Sequence, residues 1–153
     1  EYLARAMELP RDLVEQLRHD LGEEGSLVSW HASFEKTRNR ELAELFPEHA
    51  EFLIGLNDRM VDLEDVFKRD YVDIRFKGST SIKKVLPVLC PELSYEDEDV
   101  QDGASAMEAW QRMIAADDAE AEQIAGQLLS YCKLDTLAMV EIYRFLRRIV
   151  DEA

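Results

Sequence analysis

The chain has 153 residues, of which 46% are hydrophobic and 33% charged, and its formal net charge is −15. This size and apolar content suffice for one domain with a buried core. No apolar run approaches the roughly 18 residues of a membrane span. We therefore expect a single soluble domain over residues 1–153 with no membrane partner.

The acidic balance argues against a general nucleic-acid binder, because phosphate contact normally shows as a basic patch. It does not exclude a nuclease, since bound cations can supply positive charge locally.

The first third of the chain predicts a helix, a strand and a second helix. Apolar residues at helical spacing follow Pro10, after a lead-in over residues 1–9, and the helix ends at Gly22. A short apolar run then fits a buried strand over residues 26–30. The spacing changes to that of a helix over residues 33–45. Glu35 falls in the first turn of this helix, at the end of the strand where open α/β sheets place their active crevices.

A further helix begins at Pro47, and Asp62 after it suits a helix N-cap. Residues 71–76 alternate between apolar and polar, which predicts a short extended segment or a loop. Residues 78–81 then form a turn before another helix, which Pro87 is expected to kink. Lys83 and Lys84 near the start of that helix are the best phosphate-contact candidates of this acidic chain. The alternative interpretation is two solvated lysines.

The last third of the chain is predicted to be a loop followed by two helices. Residues 92–102 are acidic and turn-like, which favours a solvated surface loop. The helix over residues 104–115 is expected to bury Met107, Trp110 and Ile114. The final helical region, about 119–151, is expected to break near Cys132 to Asp135. The two cysteines lack metal-ligand spacing, which favours a reducing cytoplasm over a disulfide framework.

Tyr131 and Asp135 lie four residues apart, so a continuous helix puts both side chains on one face. With the stretch from His31 to Glu35, this Tyr-x-x-x-Asp resembles motifs II and III of the tyrosine-type DEDD 3′–5′ exonucleases. Motif II of that superfamily usually reads Asn, two or three residues, Phe or Tyr, then Asp. His31 replaces the Asn here, and Glu35 replaces the Asp. The downstream segments, especially Gly78 to Pro87 and Tyr131 to Val140, more narrowly resemble a bacterial family of exonuclease-like domains. With them, the resemblance covers most of the chain, from about Leu13 to Leu146.

The resemblance implies an α/β, helix-rich fold of the ribonuclease H-like type and a metal-dependent exonuclease. Such an enzyme shortens nucleic acid from a single-stranded 3′ end, using two Mg²⁺ or Mn²⁺ ions about 4 Å apart that are held by carboxylates. It also assigns roles to three residues: Glu35 and Asp135 are metal ligands, and Tyr131 orients the attacking water. Without the resemblance, Glu35 is a first-turn helix acid and Asp135 a cap or surface acid. His31, Lys83 and Lys84 are weaker substrate-binding candidates, and the alternative for His31 is a turn histidine.

One part of the superfamily pattern is missing. Motif I is an Asp-x-Glu on the first strand, ahead of motif II, and no such run precedes Ser26. The triplet Asp62-Leu63-Glu64 has the right spelling but follows motif II, which favours the N-cap interpretation. Because the chain also begins without Met, we expect the C-terminal part of an exonuclease-like domain that lacks its first strands. Such a fragment is predicted to be inactive by itself, whatever the intact protein does.

Two alternatives remain open from the sequence. The domain could be a degenerate exonuclease-like scaffold or interaction module, since Glu35 in place of Asp is compatible with loss of catalysis. An exposed sheet edge would then be available to pair with a second copy of the chain. A purely structural helical domain would instead leave Glu35 and Asp135 without convergence.

Overall fold

The computed structural model of the chain describes residues 2–95 and 99–152. Helices account for 69% of it, and its sheet has two parallel strands, which confirms the helix-rich α/β class. The elements are, in chain order, α1 (Arg11–Leu21), β1 (Leu27–Ser29), α2 (Ala32–Leu45), a 3₁₀ turn (Pro47–His49), α3 (Ala50–Arg59), β2 (Met60–Asp62), α4 (Glu64–Arg69), a 3₁₀ turn (Ile74–Phe76), α5 (Ile82–Leu89), α6 (Gly103–Ala115) and α7 (Asp118–Asp151).

The chain divides into two compact units. The first unit is Leu9–Ile82, and the second comprises the described residues of Glu1–Glu8 and Lys83–Ala153. Each unit has a cluster of buried apolar side chains of its own. That residues 1–153 make one domain stays a prediction.

The core of the first unit lies where α1, α2 and α3 meet. Val14, Phe46 and Leu53 are almost completely buried there, because the apolar faces of the helices can leave water only against one another. A buried hydrogen bond of 2.9 Å from Asn39 Nδ2 to Asn57 Oδ1 links α2 to α3. Paired in this way, the two amides satisfy part of their hydrogen-bonding need inside the unit.

The two strands of the sheet are connected through α2 and α3, as a parallel pair requires. Val28 of β1 lies in register with Val61 of β2. Their side chains are 41% and 51% exposed, although parallel sheets are usually covered on both faces. One face of this sheet therefore presents a pair of apolar side chains to solvent.

The core of the second unit is formed by α6 and α7. Ala109 and Met113 are buried against Ile124 and Leu128, and Trp110 donates a hydrogen bond of 2.8 Å to the carbonyl oxygen of Ala4. The lead-in of the chain thus packs on this unit. The prediction that Met107 is buried is wrong, since its side chain is 67% exposed. Trp110 and Ile114 are only half-buried.

Two other predictions need correction, and a third is decided between its alternatives. Helix α7 runs unbroken through Cys132 to Asp135, because helix-favouring Lys and Leu separate the polar residues there. Residues 71–76 are the predicted loop and not the extended segment, and their second half is the 3₁₀ turn Ile74–Phe76. The acidic stretch 92–102 is not wholly solvated, since Tyr95 and Val100 are buried. Its residues 96–98 lie outside the described residues.

A helix that crosses a membrane has to be both long and strongly apolar. No helix within residues 2–95 and 99–152 meets both requirements.

Candidate functional site

The carboxyl ends of the two strands meet at the start of α2. His31 lies between β1 and α2 with a left-handed backbone, at a φ of 63°. The Asp62 carboxylate at the end of β2 accepts hydrogen bonds from the backbone N–H groups of His31 (3.0 Å) and Ala32 (3.1 Å). A third bond, of 3.1 Å, comes from the N–H of Glu64. Asp62 therefore stabilises the N-terminus of α2, whose first N–H groups have no partner within the helix.

The N-cap prediction for Asp62 needs a small correction. Helix α4 begins at Glu64, and Leu63 is the residue in the N-cap position. Asp62 lies one residue earlier, yet its side chain still accepts from the first N–H of α4. Its carboxylate therefore serves two helix starts at once.

Glu64 is almost buried, at 7% exposed, at the same end of the sheet. Its carboxylate accepts hydrogen bonds from Thr80 Oγ1 (2.6 Å) and Lys68 Nζ (2.7 Å), and it lies 3.1 Å from His31 Nδ1. Burial by itself raises the pKa of Glu64, but the hydrogen bonds from Lys68, Thr80 and His31 outweigh it and lower that pKa. An ionised carboxylate only accepts hydrogen bonds, so Nδ1 of His31 carries the proton and Nε2 is left for other partners.

Glu35 lies one turn into α2 and differs from these two acids. Its side chain is exposed, and it makes no hydrogen bond or ion pair with any residue in the described part of the chain. Partial desolvation nevertheless raises the pKa of its carboxyl. Glu35 thus makes no stabilising contact within the described residues, and its carboxylate is accessible to a ligand.

The second unit places Tyr131 and Asp135 one turn apart on α7. Burial and the charge of Asp135 raise the pKa of the Tyr131 hydroxyl, so the phenol stays protonated at neutral pH. The hydroxyl of Tyr95 donates a hydrogen bond of 2.7 Å to Asp135 Oδ1. The Tyr95 and Tyr131 rings lie 6.5 Å apart, between centroids. We call Tyr95, Tyr131 and Asp135 the tyrosine–aspartate cluster.

Lys83 and Lys84 lie in the first turn of α5, where the sequence places them. Cations are unfavourable at a helix N-terminus because they face the positive end of the helix dipole. No acid shares that first turn. The charge of Lys83 contributes to lowering the pKa of Asp102, whose main causes are hydrogen bonds from Ser105.

The six predicted site residues are divided between the units. His31 and Glu35 belong to the first, and Lys83, Lys84, Tyr131 and Asp135 belong to the second. The structure brings His31 together with Glu64, and Tyr131 together with Asp135. Among the described residues, no three His, Cys, Asp or Glu side chains are placed to hold a metal ion.

Two residues of these clusters, Glu64 and Tyr95, are not predicted as site residues from the sequence. The sequence prediction includes Glu64 only within an Asp-x-Glu, although an acid two residues after the end of a strand is a recognisable signal. Tyr95 gave a weaker signal, because an aromatic residue in an acidic stretch still tends to seek burial. Its partner Asp135 is 40 residues away, a pairing that no local pattern predicts.

A sequence model of a domain of unknown function, DUF2779, matches residues 1–81. This chain belongs to the DUF2779 family. The match includes both strands and the residues around Asp62 and Glu64, up to Thr80. The tyrosine–aspartate cluster follows the matched residues.

Similar proteins extend the comparison beyond the DUF2779 match. The uncharacterized protein MG366 of Mycoplasma genitalium is 31% identical over 141 residues, which cover 83% of this chain and 21% of that protein. The uncharacterized protein UU173 of Ureaplasma parvum is 30% identical over 151 residues, covering 86% and 22%. The MG366 homolog of Mycoplasma pneumoniae is 29% identical over 154 residues, covering 92% and 23%.

The DUF2779 chain thus spans about a fifth of the length of the curated relatives it matches. An alignment that covers 92% of the chain necessarily includes both the strand ends and the tyrosine–aspartate cluster. No solved structure matches the chain.

Proposed function

We propose that this DUF2779 chain is part of a metal-dependent 3′–5′ exonuclease domain of the intact protein. The observation that carries the proposal is the placement of Tyr131 and Asp135 one turn apart on one unbroken helix, where burial and the charge of Asp135 both raise the pKa of Tyr131. That pairing is the arrangement implied by the Tyr-x-x-x-Asp motif of the tyrosine-type DEDD exonucleases. The substrate would be a single-stranded 3′ end of DNA or RNA, in the cytoplasm.

The segment from β1 through α2 and α3 to β2 supports the proposal that the fold is ribonuclease H-like. Its strands are parallel and are connected through helices. Glu35 follows β1 at the carboxyl edge of the sheet, the edge where open α/β sheets bind their ligands. Its carboxylate has no partner within the described residues and is accessible to a ligand.

Each predicted site residue would have its own role in the exonuclease reaction. Tyr131, protonated at neutral pH, would donate a hydrogen bond that orients the attacking water or a phosphate oxygen. His31 would offer Nε2 to the substrate, and Lys83 and Lys84 would contact phosphate. Glu35 and Asp135 would be the ligands that the chain contributes to Mg²⁺ or Mn²⁺. When bound, such ions supply an activated nucleophile and stabilise the leaving oxygen.

The test is an exonuclease assay on the intact protein and on the 153-residue chain, using 5′-labelled single-stranded DNA and RNA with Mn²⁺. We expect stepwise 3′ shortening by the intact protein, its loss in Asp135→Ala, and its persistence in Glu120→Ala. Glu120 is a matched control because it is an exposed acid on the same helix. If the folded protein shortened neither substrate, the proposal would be refuted.

A second candidate is a scaffold that keeps the fold without catalysis. The observation that favours it is the commitment of Asp62 and Glu64 to internal hydrogen bonds, together with the absence of a three-ligand group in the described residues. Its partner would be a second copy of the chain, paired through an edge of the sheet. A concentration-dependent dimer without nuclease activity would support this candidate.

A further inference from the structure

Tyr95 holds the carboxylate of Asp135 within the second unit. Only 6% of Tyr95 is exposed, although the surrounding sequence is acidic. Its hydroxyl donates to Asp135 Oδ1 across 2.7 Å, a distance typical of a hydrogen bond from a hydroxyl. The partner is charged, which strengthens such a bond. A buried phenol without this acceptor would lose its hydration and gain nothing in return.

The bond restricts the rotation of the Asp135 side chain. Asp135 lies on α7, and its χ1 and χ2 angles could each adopt more than one value. The ring of Tyr95 is fixed by its burial and by contact with the ring of Tyr131, 6.5 Å away. A fixed donor can therefore select one orientation of the Asp135 carboxylate, and that orientation keeps the acid beside Tyr131.

The donor role of Tyr95 persists over the pH range in which proteins work. Burial, reinforced by the hydrogen bond to Asp135, raises the pKa of the Tyr95 hydroxyl. The phenol thus keeps its proton, and the direction of the bond is settled.

We propose that Tyr95 is a positioning residue of the candidate site, because its hydroxyl fixes the Asp135 carboxylate beside Tyr131. The inference rests on the proposed function in that Asp135 belongs to the active site. It adds a residue outside the matched residues 1–81, and one that the exonuclease motifs do not include. Tyr95 acts through Asp135 and is not assigned any contact with substrate.

The bond itself is tested by a stability cycle on the 153-residue chain, independently of any activity. We expect Tyr95→Phe to lower the Tm by about 3 to 10 °C, the effect of losing a hydrogen bond to a charged group. In the Asp135→Ala background the same change should raise the Tm, because it removes a buried hydroxyl that has lost its acceptor. Tyr143→Phe, a matched change at an exposed position of α7, should leave the Tm unchanged. Equal losses from Tyr95→Phe in both backgrounds would overturn the inference.

Positioning is separated from simple stabilisation by kinetics of the intact protein below its Tm. We expect Tyr95→Phe to lower kcat about tenfold, with KM changed less than twofold. Full kcat in Tyr95→Phe, despite a lower Tm, would leave Tyr95 a structural residue and overturn the inference.

A wild-type protein without nuclease activity would refute the proposed function separately. The inference would then be decided by the χ1 scalar couplings of Asp135 measured by NMR on the 153-residue chain. They should report one rotamer in wild type and averaging in Tyr95→Phe. Averaging already in wild type would overturn the inference.

Discussion

The carboxylate of Asp62 accepts the backbone N–H of His31 at 3.0 Å and thereby ties the end of β2 to the start of α2. A strand and a helix whose joined ends lie 31 residues apart in the sequence thus share one acid. The same carboxylate also accepts from Ala32 and Glu64, so three donors depend on it.

Replacing Asp62 with Ala should therefore destabilise the chain strongly. We expect a loss of about 2 to 3 kcal/mol in the free energy of unfolding, because helix starts would lose their acceptor and partly buried N–H groups would be left unpaired. Urea denaturation followed by circular dichroism measures it. Asp58→Ala, at an exposed position of α3, should cost less than about 0.5 kcal/mol. Similar losses from both variants would contradict the assigned role.

Glu64 should make the stability of the chain fall in acid. Its pKa is lowered in the folded state, so the folded chain holds the proton less tightly than the unfolded chain does. The stabilisation is complete above the ordinary glutamate pKa of 4.5 and is lost as the pH falls through the lower, folded value. Tm measured between pH 7 and pH 3 should show this decline, and Glu64→Gln should flatten it.

At neutral pH, Glu64→Gln should also destabilise the chain by about 2 kcal/mol, since Lys68, Thr80 and His31 lose a charged acceptor. Glu44→Gln on α2, an exposed acid, is the matched control and should change neither the Tm nor its pH dependence. A pH profile of Glu64→Gln that parallels wild type would assign the acid decline to other carboxylates.

Glu35 should affect function without affecting stability. Its carboxylate has no partner among the described residues, so Glu35→Ala should change the free energy of unfolding by less than about 0.5 kcal/mol. Under the proposed function the same variant should lose 3′ shortening as completely as Asp135→Ala does. The comparison is made with Glu44→Ala from the same helix. A Glu35→Ala protein that is stable and fully active would remove Glu35 from the site.

Tyr131→Phe should show what the tyrosine hydroxyl contributes to the reaction, apart from the contribution of Asp135. Phenylalanine keeps the ring beside Tyr95 but removes the hydroxyl, so binding of a labelled oligonucleotide should persist. We expect kcat to fall by about 10² to 10⁴, the usual range for loss of a positioned proton donor or acceptor. Single-turnover assays measure it. Unchanged kcat would show that the hydroxyl takes no part in the reaction.

The strand–helix junction is the part of the fold that the sequence predicts well. The apolar run before Trp30 and the helical spacing after it place β1 and α2 within one residue of their observed limits. Such local signals suffice because a strand and an amphipathic helix each repeat their own period. The position of Glu35 in the first turn of α2 follows directly.

The features that the sequence did not predict depend on contacts between residues that are distant in the sequence. The core face of α6 includes Ala109, whose small side chain gives little hydrophobic signal, so the predicted face was displaced toward Met107. The burial of Tyr95 depends on α7 and on the acceptor Asp135. Glu64 likewise gains its role from Thr80, 16 residues further along the chain. Local periodicity carries no information about such partners.

The left-handed backbone of His31 limits which amino acids the junction can accept during sequence divergence. At a φ of 63°, asparagine and glycine are the least strained choices, histidine is tolerated, and valine, isoleucine or threonine would clash. Under the proposed function, the Asn that opens motif II is one of the two residues that this backbone favours even without any contact to substrate. A replacement of His31 by Asn in another DUF2779 sequence would thus preserve the geometry of the turn while discarding the imidazole. A β-branched residue there would indicate a rebuilt junction.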